Sequence, residues 1–325
     1  MKLTRRQFLH LAAGTAALPA VSRGAWAQAY PTRPVRLVVG YPAGGTNDIL
    51  ARLIGQWLSE RLGQPFVIDN RPGASTNLAT ETVVRAPADG YTLLLVGPAN
   101  AINGTLYDNL NFNFIRDIAP VASISREALF MVVNPTFPAK TVPEFIAFAK
   151  ANPGKINMAS AGNGSSTHMA GELFKLMTGV SMVHLPYRGG GPAMTDLLSN
   201  QVQVFFPSAP VSIEYIRTGS VRALAITTEM RSEALPDVPT VAEFVPGYEA
   251  SAVYGLGAPR HTPGEIVNKL NNEINMGLAD PTLKKRFAEL SSDVFSGSPA
   301  DFGKVIAAET EKWGKVIKSA GIKPE

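Results

Sequence analysis

Val35-Arg36-Leu37-Val38-Val39-Gly40-Tyr41-Pro42-Ala43-Gly44-Gly45-Thr46-Asn47-Asp48-Ile49-Leu50 passes from an apolar, β-branched run through a glycine-rich turn into an amphipathic run. Val35–Val39 reads as a buried strand and Ile49–Leu62 as the helix after it. Glycine lets the backbone turn tightly and approach a ligand, and the first N–H groups of the helix point outward. An anion fits such a turn. No lysine follows Gly45, so the phosphate-loop pattern fails, and the dinucleotide fingerprint's spacing is absent. A carboxylate therefore suits the turn better than a nucleotide. The plain alternative is a tight turn capped by Thr46 or Asp48.

Working outward, the same strand-then-helix alternation recurs. Strands are expected at Phe66–Asp69, Thr92–Val96, Met158–Ser160, Met182–Leu185, Val202–Phe206 and Val221–Thr227, with helical stretches between most of them. Such alternation predicts α/β architecture with mostly parallel sheets flanked by helices. Three helical stretches close the chain, at Pro263–Leu278, Pro281–Leu290 and Pro299–Ala320. Two α/β units with a helical tail suggest two lobes, with Ile124–Val133 and Tyr248–Leu256 as the crossings. The expected division is residues 28–125 plus 255–325 for one lobe and 126–254 for the other.

Three further turns have binding chemistry. Ser160-Ala161-Gly162-Asn163-Gly164-Ser165-Ser166-Thr167-His168 also links a strand to a helix and adds hydroxyl donors. Its plain alternative is an ordinary Ser cap. Ligands of open α/β sheets lie outside the carboxyl ends of the strands, so two facing lobes would place both turns on one cleft. Arg71-Pro72-Gly73-Ala74-Ser75-Thr76-Asn77 is a similar turn. In His184–Pro192, Arg188 can pair with an acid and Tyr187 can wall the cleft. Catalysis has weak support. There is no G-x-S-x-G elbow and no H-E-x-x-H. Ser165 with His168 is the one nucleophile–base pair, and a helix cap with its first turn explains the pair more simply.

The 325 residues are 45% hydrophobic and 17% charged, too apolar for a disordered chain. There is no cysteine, which excludes disulfides, thiolate metal sites and thiol nucleophiles. No metal and no cofactor is expected. Residues 1–27 read as an export signal. Lys2, Arg5 and Arg6 precede an apolar stretch, Ala25-Trp26-Ala27 is a small-x-small cleavage site, and Thr4–Leu9 resembles a twin-arginine motif. That segment holds Lys2, Arg5, Arg6, Arg23 and no acid, so it carries the whole formal charge of +4. The rest is neutral overall, which argues against nucleic acid or anionic lipid as a partner. A soluble periplasmic monomer is expected.

The ordered motifs resemble the Bug family, the periplasmic solute-binding proteins of tripartite tricarboxylate transporters. The Y-P-A-G-G-T-N-D turn, N-R-P-G-A from Asn70, S-A-G-N-G-S-S-T-H from Ser160, H-L-P-Y-R-G-G-G-P-A from His184 and L-P-D-V-P-T-V-A-E from Leu235 carry the likeness. It runs from about Pro31 to the C-terminus. The resemblance implies a two-lobed periplasmic binding protein of the two-crossover type. It further implies a small carboxylate held between the lobes by backbone N–H groups and ordered waters. The ligand-binding candidates are Tyr41, Ala43, Gly44, Gly45, Thr46, Asn47 and Asp48 in the first turn and Ser75, Thr76 and Asn77 in the next. In the second lobe they are Ala161, Gly164, Ser165, Ser166, Thr167, His168, Tyr187, Arg188 and Ser208. Pro207 stands where the family commonly has an aspartate, and Ser75-Thr76 where it often has glycine or another small residue. These departures, near the expected pocket wall, bear on ligand identity; Gln203 and Tyr254 also depart, from aspartate and tryptophan.

The expected function is capture of a carboxylate and its delivery to a membrane permease. The alternatives are an orphan sensor that presents the same ligand to a signalling receptor, and a periplasmic hydrolase using Ser165 and His168.

Overall fold

A computed structural model describes residues 30–290 and 292–324. The export signal expected at residues 1–27 lies outside the described residues.

The first unit is built from β1 (Val35–Val39), α1 (Thr46–Leu62), β2 (Phe66–Asn70), α2 (Asn77–Val84), β3 (Thr92–Val96), α3 (Pro98–Leu106), α4 (Phe114–Asp117) and β4 (Ile118–Ala128). In α1, Leu50, Ala51, Ile54 and Leu58 fall on one face and are fully buried, while Gly63 ends the helix at φ 71°. The second unit contains β5 (Phe130–Val133), α5 (Val142–Ala151), β6 (Asn157–Ser160), α6 (Ser166–Thr178), β7 (Val183–Pro186), α7 (Gly190–Leu198), β8 (Val204–Phe205), α8 (Ala209–Arg217) and β9 (Arg222–Ile226). The chain then returns through β10 (Ser251–Pro259) and ends with α9 (Gly264–Ala279), α10 (Pro281–Glu289), β11 (Ser292–Val294) and α11 (Pro299–Ala320).

These strands form two sheets flanked by helices, ordered β11-β4-β10-β3-β1-β2 and β7-β6-β8-β5-β9. The two-lobed α/β expectation holds, but the sheets are mixed rather than mostly parallel. β1 pairs in parallel with β2 and β3, whereas β10 runs antiparallel to β3 and β4, and β11 runs antiparallel to β4. In the second sheet β5 is antiparallel to β8 and β9. The strands of reversed sense are β5, β10 and β11. The direction of β5 and β10 follows the route of the chain between lobes and not a βαβ repeat.

β4 and β10 belong to the first sheet over their whole length, so we place the lobe division at Leu129 and near Ala250. Thr227 ties the two crossings together: its Oγ1 lies 3.0 Å from Leu129 N, 2.9 Å from Leu129 O and 2.6 Å from Ala250 O. The last helix forms a third link. Phe302 packs in the first-lobe core with Val38, Leu94 and Val253. Trp313, Val316 and Ile317 of the same helix pack in the second-lobe core with Met158, Phe174 and Tyr248. α3 also reaches across, since Ile102 and Leu106 bury in that second core.

Candidate functional site

A cavity of about 320 Å³ lies between the two sheets. Its walls come from the starts of five helices. Gly45, Thr46 and Asn47 begin α1, Pro98 and Ala99 begin α3, and Ser165, Ser166 and Thr167 begin α6. Gly189, Gly190 and Gly191 begin α7, and Ser208 begins α8. The first turn of a helix has N–H groups without intrahelical acceptors. Here the amides of Thr46, Asn47, Ala99, Ser166, Thr167, Gly190 and Gly191 find no acceptor among the described residues. Each helix also presents the positive end of its dipole to the cavity. Among the described residues no aspartate or glutamate lines it, and Arg188 is the one charged lining residue.

Local sequence explains this convergence. Gly44 has φ 84°, which turns the chain from β1 into α1, and its N–H donates to Asp48 Oδ2 at 3.0 Å. Ser165 caps α6 by accepting from His168 N. Ala161 N–H donates to Thr167 Oγ1 at 2.7 Å, holding the second turn against its own helix. Gly189 has φ 108° and its N–H donates to Ala161 O, which joins the third turn to the second. The lobes touch around the cavity. Thr46 Oγ1 and Ser208 Oγ lie 2.5 Å apart across it, although 162 residues separate them.

Of the candidates from sequence, Tyr41, Ala43, Gly44, Gly45, Thr46, Asn47, Ala161, Ser165, Ser166, Thr167, Arg188 and Ser208 line this cavity. Asp48, Ser75, Thr76, Asn77, Gly164, His168 and Tyr187 do not; all but Thr76, whose buried Oγ1 has no partner among the described residues, are engaged elsewhere.

Asp48 accepts from Arg52 Nε and Nη2 at 2.9 Å each. Burial acts to raise its pKa, but the bonds from Arg52 and Gly44 outweigh burial and leave it below its ordinary value. Ser75 and Thr76 both have left-handed φ. Ser75 Oγ donates to Asn163 O at 2.7 Å and accepts from Tyr107, so it joins the lobes rather than facing the cavity. Thr76 is buried, and a Cβ on Gly40 would stand 2.5 Å from its Cβ. Asn77 Oδ1 accepts from Asn103 Nδ2. A Cβ on Gly164 would lie 2.8 Å from Leu106 Cδ2, so this residue faces α3 and not a ligand. Tyr187 donates to Asp196 Oδ2 at 2.6 Å, and burial with that bond raises its pKa to about 12.

His168 stacks on His184 with ring centroids 3.8 Å apart. Its Nδ1 accepts from Gly164 N–H, and its Nε2 faces Glu172 at 3.6 Å. Ser165 Oγ donates to Gly162 O at 2.6 Å. Neither ring nitrogen of His168 is hydrogen-bonded to Ser165 Oγ, so the nucleophile–base pair is not formed in this structure. Burial and the neighbouring His168 lower the pKa of His184 to about 3, which keeps that ring neutral. Among the described residues no cluster of three His, Asp or Glu side chains could hold a metal ion.

The cavity also contains residues that sequence reasoning did not select: Pro42, Pro98, Ala99, Gly189–Pro192, Phe205 and Val211; Pro207 and Tyr254, noted there only as departures from the family pattern, line it too. Two signals were available. Val96-Gly97-Pro98 is a strand end followed by a proline at a first helical position, and Gly189-Gly190-Gly191 adjoins Arg188.

Residues 50–322 match the family model described as the tripartite tricarboxylate transporter family receptor. Protein BugT of Bordetella pertussis is 35% identical over 300 residues, covering 91% of this chain and 92% of that protein. Among solved structures, Rpa4515 of R. palustris with adipate is 39% identical at a TM-score of 0.88, covering 91% of this chain and all of that one. MatC of Rhodopseudomonas palustris with bound malate is 31% identical at 0.84, covering 89% of this chain and 100% of that one. The periplasmic binding protein BugD is 31% identical at 0.86, with 91% and 100% covered. Matched along most of its length by a family model and by Bug proteins alike, the chain belongs to the Bug family of tripartite tricarboxylate transporter receptors.

Proposed function

We propose that the protein is exported to the periplasm, captures a small carboxylate in the cavity between its lobes, and delivers it to a membrane permease of the tripartite type. One observation carries the binding step: first-turn amides of α1, α3, α6 and α7 converge on one cavity without protein acceptors and without a lining carboxylate. A carboxylate offers about four lone-pair sites to such donors. Charge-assisted bonds contribute roughly 1.5–3 kcal/mol each. Three or four of them sum to roughly 5–12 kcal/mol before ordering costs, so micromolar binding, ~8 kcal/mol net, also draws on the helix dipoles and on burial of the ligand. The adipate and malate held by the two R. palustris relatives are carboxylates, which supports the same reading. Among the described residues no helix is long and apolar enough to cross a membrane, in keeping with a receptor that hands its ligand to a separate permease.

A thermal-shift panel of carboxylates, amines and sugars tests the reading. An acid at 100 times its Kd stabilises the folded state by ~2.7 kcal/mol, a shift readily seen. Stabilisation by sugars or amines, with every carboxylate silent, would refute it. Loss of uptake of the binding acid on deletion of the gene tests delivery to a permease.

A further inference from the structure

We infer that the ligand is an acid with a hydrocarbon body and no ammonium group, and that Pro207 is a residue that sets this preference. The inference rests on the carboxylate reading above and goes on to the rest of the ligand.

The charge of the cavity comes first. An ammonium inside it would sit among the positive ends of α1, α3, α6 and α7, beside unpartnered N–H donors. It would find no carboxylate to pair with, since Asp48 is turned to Arg52 and Gly44 and does not line the cavity. A buried cation without a partner is strongly disfavoured.

The apolar wall comes second. Pro207 and Val211 from the second lobe and Pro98 from the first offer no side-chain donor or acceptor, and Phe205 lies behind them in the core with no exposed surface. Pro207 has no N–H, and its carbonyl already accepts from Phe130 N at 2.9 Å. Val211 packs against Gly190, where an added Cβ would meet its Cγ1 at 3.3 Å. A hydroxyl or amine turned toward this wall would lose its water and gain nothing, whereas methylene or ring carbons would be buried against carbon.

Size comes third. At about 320 Å³ the cavity is at the small end of small-molecule sites, which suits a compact acid rather than a nucleotide.

Calorimetric titration of matched pairs tests the inference: adipate against 2-aminoadipate, and hexanoate against 2-aminohexanoate. Each pair differs by one ammonium. The better-binding plain acid should bind at least 100-fold more tightly than its amino counterpart. In Pro207→Asp, which places a carboxylate in the wall, the ratio should fall below tenfold. Val211→Asp serves the same purpose if the first variant does not fold. Equal or tighter binding of the amino acids by the unaltered protein overturns the inference and leaves the carboxylate reading standing. Failure of both plain acids also overturns it, and only silence across the whole thermal-shift panel removes the reading beneath it. An unchanged ratio in folded aspartate variants removes Pro207 from the assignment.

Discussion

Glu127 lies on β4, opposite Ala252 of β10 and Ser292 of β11, with no exposed surface. Ser125 Oγ donates to its Oε1 and Ser292 Oγ to its Oε2, each at 2.7 Å. Burial raises its pKa from an ordinary 4.5 to about 7; the two serines oppose the rise and Asp293 adds to it. Between these values the folded state holds a proton that the unfolded state has released. Stability therefore falls as pH rises from about 4.5 to about 7, and levels off above. At ~1.4 kcal/mol per pKa unit, the ionised carboxylate destabilises the fold by ~3 kcal/mol at pH 8. Glu127→Gln keeps the shape and never ionises. Urea unfolding of both proteins at pH 5 and pH 8 should show the variant gaining ~2.5 kcal/mol over the parent between the two conditions, because part of the loss has already occurred by pH 5. Asp293, whose pKa is also raised, is present in both proteins, so the comparison retains only its repulsion of the Glu127 carboxylate. A gap that stays constant within ~0.5 kcal/mol would refute the assignment of that pH dependence to Glu127.

Gly44→Val should weaken ligand binding at least tenfold, ~1.4 kcal/mol, because φ is 84° at a residue lining the cavity; near-normal calorimetric affinity would contradict this. Gly164→Val should instead lower the melting temperature, since its side chain would meet Leu106 and Asn103; affinity lost at unchanged stability would count against that placement. Ser75→Ala removes an inter-lobe bond worth ~1 kcal/mol and should shift the unliganded protein about fivefold toward an open form. Small-angle scattering should then give a larger radius of gyration, and an unchanged one would argue against a latch at Ser75.

The turns at the starts of α1 and α6 were legible because their chemistry is local. Strand, glycine, hydroxyl and helix follow one another within a few residues, and the helix ends must face the strand ends. α3 was not legible. Its Asn100 and Asn103 are buried only because Thr80 Oγ1 and Asn77 Oδ1, some 20 and 26 residues away, accept from them, and the helix shows no apolar period of its own. Ser75 and His168 show the reverse error. Their residue types suit a ligand cradle, but nothing local says that Ser75 points at Asn163 or that His168 stacks on His184. In α11 the amphipathic period marks Trp313 and Ile317 as buried without saying in which lobe. The reversed sense of β5 and β10 was hidden for a related reason: it follows from where the chain must go next, not from the strands themselves.

If helix N-terminal amides hold the carboxylate, amide ¹H–¹⁵N spectra recorded during titration with the better-binding of adipate and hexanoate will register it at those amides. A hydrogen bond to a carboxylate moves an amide proton downfield. The account predicts the largest downfield shifts at Thr46, Asn47, Ser166 and Thr167, with Gly190 and Gly191 next. Saturable binding that leaves these amides in place, and perturbs only the Arg188 guanidinium at the cavity wall, would contradict it.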